Sequence, residues 1–126
     1  MIARTWRGRV PARHADAFER HLLATGVADC SAPAGCLGAE VARADLDGHV
    51  EFRLITYWQS WEAISAFAGP DPGVAVLYPG DERYELVPGR TVEHHQVTHR
   101  EEQDGSHVGR APLGKGVAEG MADQRR

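Results

Sequence analysis

Between Glu51 and Gly69 the chain changes its hydrophobic period once, at Ser60. Before it, Val50, Phe52, Leu54, Thr56 and Trp58 alternate with Glu51, Arg53, Ile55 and Tyr57. That two-residue period belongs to a strand with two different faces. After it, Trp61, Ile64, Phe67 and Ala68 recur at helical spacing and predict one apolar stripe. Ser60 is suited to cap that helix, because its hydroxyl can accept from a free first-turn amide. Gly69 and Pro70 predict its end. A strand thus runs straight into a helix, with aromatics at the junction.

The rest of the order follows from similar signals. Met1 to Val10 alternates as strand one, and Pro11 ends it. His14 to Thr25 reads as helix one, with Ala15, Phe18 and Leu22 on its stripe and Gly26 as its stop. Asp29 to Gly35 reads as a loop. Cys36 to Ala44 reads as strand two, with Leu37, Ala39 and Val41 facing one way. Asp45-Leu46-Asp47-Gly48 predicts a hairpin turn into strand three. Asp71 to Tyr84 is a longer connection with room for a helical turn at Val74 to Leu77, and Arg90 to Thr98 reads as strand four. The order β-α-β-β-α-β predicts an α+β, ferredoxin-like fold: a four-stranded antiparallel sheet with two helices on one face. Residues 1–98 form that domain. Residues 99–126 hold five Gly and no aromatic, and read as a flexible tail.

Composition narrows the function classes. At 126 residues the chain suits one domain with a modest core. No apolar run approaches the ~20 residues that span a bilayer. The Arg residues of the N-terminal strand interrupt any signal-peptide core, so a cytoplasmic protein is expected. A net charge of −4 argues against nucleic acid. Cys30 and Cys36 then read as free thiols, with no metal site around them. Both faces of the sheet carry apolar groups, which predicts a homodimer covering the second face.

Several side chains could carry chemistry. Arg4 and Trp6 share a face of strand one, expected to be central, and a buried Arg needs an anion or carbonyl. A salt bridge to Glu51, Glu93 or a partner carboxylate would also explain it. His94, on strand four, could take a proton near neutral pH, or simply pack with its hydrogen bond satisfied. Tyr78 lies in the loop expected to cap the space between sheet and helices. Arg83 lies in the same loop, where a local ion pair would account for it equally well. Trp58 and Phe67 belong to the core between strand three and the second helix, and Trp6, Trp58 and Phe67 could also line a pocket. No phosphate-binding glycine loop, nucleophile elbow or HExxH is present.

MIARTWRGRVP, LITYWQSWEAISAFAG, LYPGDERYELVP and TVEHHQV resemble the antibiotic biosynthesis monooxygenase domain of the dimeric α/β-barrel superfamily. The resemblance covers about residues 1–98, and Trp58, Ser60, Glu62 and Ala63 match its W-x-S-x-E-A helix entry. It implies a dimeric α/β barrel and a small phenolic or polyketide-like substrate, oxygenated with no cofactor. His94 would act as base and Arg4 would stabilise the anion, with Trp6, Trp58, Phe67, Tyr78 and Arg83 around the substrate. The alternatives are a non-catalytic small-molecule-binding dimer, or a cyclase or isomerase of the same fold. Haem-degrading members resemble one another in a strand-one Asn, a Trp in the second helix and a ligand His after it. Here those places offer Arg4 or Thr5, Phe67, and Leu77 or Tyr78, which argues against haem.

Overall fold

The computed structural model describes residues 1–102. The expected tail lies outside the described residues from 103 on. Five strands form one antiparallel sheet: β1 (Ile2–Pro11), β2 (Cys36–Leu46), β3 (His49–Trp58), β4 (Val87–Pro88) and β5 (Glu93–Gln96). Their order is β2-β3-β1, with β4 and β5 sharing the far edge of β1. The helices are α1 (Ala15–Leu22), α2 (Ala28–Ser31) and α3 (Trp61–Ala68). Among the described residues no helix is long and apolar enough to cross a membrane.

The central ladder explains the core. Ile2, Arg4, Trp6, Gly8 and Val10 of β1 stand opposite Trp58, Thr56, Leu54, Phe52 and Val50 of β3. Alternation puts all ten on the face toward the helices, and nine of them are buried, with Leu54 half-buried. Phe18, Phe52, Trp58 and Ile64 are almost fully enclosed. Each stabilises the fold by roughly 1.5–3 kcal/mol relative to exposure. The core falls into two clusters, one around Trp6, Phe18 and Phe52 and the other around Ile2, Trp58 and Ile64.

Ser60 caps α3 as expected, whereas the turn expected over Asp45–Gly48 is shorter because β2 runs on to Leu46. Asp47 and Gly48 alone separate β2 from β3, and Gly48 holds the positive φ of 75° that such a tight turn favours. The Ser60 hydroxyl accepts from the Ala63 amide at 3.1 Å, and the Gly69 amide closes the helix on Ser65. Trp61 is 51% exposed and so leaves the apolar stripe at the first turn.

Four other expectations are corrected. Gly26 does not stop helix one: the chain passes through a widened π-type turn at Leu23–Val27 and continues as α2. Gly26 is there for packing, since a Cβ would come 3.1 Å from Leu54 Cδ2 and 3.3 Å from Leu22 Cδ1. Leu37 does not share a face with Ala39 and Val41; a bulge between Cys36 and Gly38 turns it out to 56% exposure. Val74 to Leu77 forms no helical turn; Val74 bridges to Thr91 instead. Strand four is two short pieces, because residues 90–92 leave β1 to pair with the 73–75 segment. There the Ala75 amide donates to the Arg90 carbonyl (2.9 Å) and the Val92 amide to the Gly73 carbonyl (3.0 Å).

Candidate functional site

A cavity lies between the sheet, the π-type turn of helix one, α3 and the 76–81 loop. Its empty volume is about 540 Å³ with the open mouth included. Most of that is open solvent at the mouth; the enclosed free space is about 40 Å³. The wall is mainly apolar, with Trp6, Leu22, Leu54 and Phe67 prominent, and it lies between the two core clusters.

Arg4 is the charged group of the sheet wall. It is 5% exposed, and no carboxylate lies within ion-pairing distance among the described residues. The candidate Glu93 pairs with Arg7 instead, at 3.0 Å. Arg4 Nη1 donates to the Pro72 carbonyl and to His94 Nε2 (3.1 Å), and Nη2 donates to the Val74 carbonyl (3.2 Å). The Phe67 ring lies 6.0 Å from its guanidinium carbon. Burial lowers the Arg4 pKa.

His94 sits directly opposite Arg4 in the β1–β5 register, so the two share one face. A guanidinium has no acceptor, so Nε2 of His94 must accept and the ring must be the neutral Nδ1–H tautomer. Burial first, and the Arg4 charge second, lower the His94 pKa. Its ring packs on Trp61 at 4.9 Å, behind Arg4 and outside the cavity lining.

The opposite wall comes from helix one and the loop. Tyr78 lines the cavity, and its hydroxyl donates to Asp29 Oδ2 at 2.6 Å. Burial, then this hydrogen bond to Asp29, raises the phenol pKa strongly. Asp81 accepts from the Tyr78 amide (2.9 Å) and pairs with His21 Nε2 (2.7 Å). The Thr25 hydroxyl donates to the His21 carbonyl (2.8 Å). Cys30 lines the same space as a free thiol, its pKa pushed up to about 11 chiefly by burial.

The sequence-predicted residues are therefore placed as follows. Arg4, Trp6, Phe67 and Tyr78 line one cavity. Trp6 is fixed by its indole N–H donating to the Gly89 carbonyl at 2.9 Å. Trp58 is fully buried behind Phe67, their rings 5.2 Å apart. Arg83 is exposed on the Asp81–Tyr84 turn and does not line the cavity. Sequence reasoning missed Thr25, Asp29, Asp81 and His21. His21, Thr25 and Asp29 recur every fourth residue, a polar stripe that would have exposed them had helix one been read through Gly26.

The family model described as antibiotic biosynthesis monooxygenase matches residues 1–71. A crystal structure of a Deinococcus radiodurans protein assigned to antibiotic biosynthesis monooxygenases is similar at 18% identity and a TM-score of 0.56, covering 83% of this chain and all of that one. A MhuD variant with two manganese protoporphyrin IX bound per active site is similar at 19% identity and a TM-score of 0.57, covering 82% of this chain and all of that one. No curated protein matches the chain in sequence. The MhuD neighbour corrects the expectation of no cofactor and the argument against haem, because a protein of this fold is described with porphyrin in its active site. Departure from one pattern of iron ligation does not exclude a porphyrin. As a matter of fit, no imidazole lines the cavity among the described residues. The lining groups that could face a metal are the Cys30 thiol and the Tyr78 phenol, both pushed toward their protonated forms, and the Asp81 carboxylate.

Proposed function

The chain belongs to the antibiotic biosynthesis monooxygenase family, and from that premise we propose that its cavity binds a small phenolic or polyketide-like molecule and prepares it for oxygenation. The observation that carries this reading is Arg4, a buried cation facing an open-mouthed apolar cavity without a carboxylate to neutralise it. Burying such a charge is costly, and an anionic ligand oxygen would relieve the cost. Binding at Arg4 favours the phenolate over the phenol. The phenolate ring is richer in electrons, which suits attack by dioxygen. The apolar walls of Trp6, Leu54 and Phe67 exclude water and strengthen the Arg4 interaction. His94 serves this site through Arg4: as a neutral acceptor it orients the guanidinium, and its Nε2 is free to take a proton only when Arg4 moves away. Trp58 supports Phe67 from behind.

Dioxygen uptake with a panel of phenols and hydroquinones tests the reading. Arg4→Gln should lower uptake about 100-fold or more, the scale for losing one preorganised charge-stabilising donor. His94→Ala should lower it about tenfold. If both variants consume oxygen as the parent does, the reading is wrong. Tight binding without uptake would point to a non-catalytic binder, and product formation without uptake to a cyclase or isomerase.

We also propose that the chain works as a homodimer through the second face of the sheet. Ala3, Thr5, Ile55 and Tyr57 there are only half-covered, and Leu37 at its edge is exposed. Light scattering should give about twice the 13.8 kDa of one chain. A mass of one chain would overturn it.

A further inference from the structure

The polar atoms of the cavity are sorted by wall. A guanidinium carries five N–H donors. Arg4 uses both on Nη1 and one on Nη2 for the Pro72 and Val74 carbonyls and His94. The Nε–H and the second Nη2–H find no acceptor among the described residues. The sheet wall therefore has donors to spare and a positive charge. On the facing wall the hydrogens are already committed. The Tyr78 hydroxyl gives its proton to Asp29, and the Thr25 hydroxyl gives its own to the His21 carbonyl. Asp81 holds two donors and remains an acceptor. What Tyr78, Thr25 and Asp81 still offer the cavity is lone pairs only.

We propose that this cavity is selective for a hydroxyaromatic monoanion, one that places an ionised oxygen group on Arg4 and donates a separate hydroxyl to the Tyr78, Thr25 and Asp81 wall. The proposal rests on the reading of the cavity as the ligand site and narrows its substrate class. A plain phenol has one oxygen and satisfies only one wall. An aromatic acid without a hydroxyl gives the lone pairs of that wall no donor. Sites that hydrogen-bond a ligand hydroxyl disfavour analogues that lack it, because acceptors covered by the ligand are then left unpaired.

Calorimetric titration with three single-ring probes of similar size tests this. 4-Hydroxybenzoate has both groups. 4-Fluorobenzoate keeps the anion and replaces the donor. 4-Hydroxybenzamide keeps the donor and removes the charge. The hydroxy acid should bind at least about tenfold more tightly than either analogue. In Tyr78→Phe its advantage over the fluoro acid should shrink, while its advantage over the amide persists. In Arg4→Gln the acid and the amide should bind alike; if that variant does not fold, the acid-to-amide ratio in the parent protein decides the anion arm. Equal binding of the hydroxy and fluoro acids, or of the acid and the amide, overturns the proposal, as does binding of none at millimolar concentration. The two proposals fail separately. The expected selectivity without dioxygen uptake would sink oxygenation alone. Undiminished uptake with phenols that carry no second oxygen group would sink the substrate class alone.

Discussion

Arg4 and His94 fix each other's chemistry. The guanidinium can only donate, so His94 must stay unprotonated for the 3.1 Å contact to exist. Protonating His94 would place two cations in contact at a partly buried site. Burial first, and this Arg4 charge second, hold its folded pKa below the ordinary 6.5. The sign follows from proton counting: between the folded pKa and 6.5 the unfolded chain binds more protons, so stability rises with pH there. The contribution is fully present above 6.5 and is lost as the pH falls through the folded value. His94→Gln keeps a neutral acceptor and cannot titrate. Melting temperatures from about pH 5 to about pH 8 should show a steeper acid-side fall for the parent than for the variant. Identical pH profiles would mean that the folded site beside Arg4 does not hold His94 neutral. Both residues were legible in the sequence as candidates. Their meeting was not, because strand register is set by pairing across the sheet and not by local pattern.

At the level of elements, local signals and tertiary ones part company. Ser60 caps α3 through its own hydroxyl, so Ser60→Ala should cost about 1 kcal/mol. Thermal or urea unfolding measures it, and no change in stability would show that the cap contributes nothing. This junction was readable because cap, period switch and stop all lie within a few residues of one another. Helix one was not, because Gly26 acts in packing and not as a terminator. The apolar series Phe18, Leu22, Gly26 and Cys30 runs on at four-residue spacing, and that series was the available signal. Gly26→Ala would gain helix propensity of about 1 kcal/mol, yet its methyl would press on Leu54 and Leu22 at the cavity wall. We expect little or no net stabilisation and weaker 4-hydroxybenzoate binding, read by calorimetry. Unimpaired binding would place the ligand away from the π-type turn. The split edge strand was hidden for a related reason: residues 90–92 bond to a loop far away in sequence, which no local pattern reveals.

Over the whole molecule the core is divided where Arg4 stands opposite Thr56. Apolar pairs lie on either side of this polar pair, Trp6 with Leu54 and Ile2 with Trp58, and the two core clusters close over them. The Thr56 hydroxyl is accounted for, since it accepts from the Trp58 indole at 2.8 Å. Arg4 is the member not fully satisfied by the fold. A chain optimised for stability alone would place a hydrophobic residue there and join the clusters. Replacing a buried ionic group by an apolar one of similar volume is often neutral or stabilising. Arg4→Met loses the hydrogen bonds to Pro72, Val74 and His94, and it also removes a desolvated cation. These effects oppose each other, so its stability should fall within about 1 kcal/mol of the parent while affinity for 4-hydroxybenzoate is lost. Trp58→Ala, which empties a fully enclosed site, should instead cost about 3–5 kcal/mol. Urea unfolding and calorimetry on the two variants separate the roles. If Arg4→Met unfolds as readily as Trp58→Ala, then Arg4 is held for the fold, and the polar break in the core has a structural cause rather than a functional one.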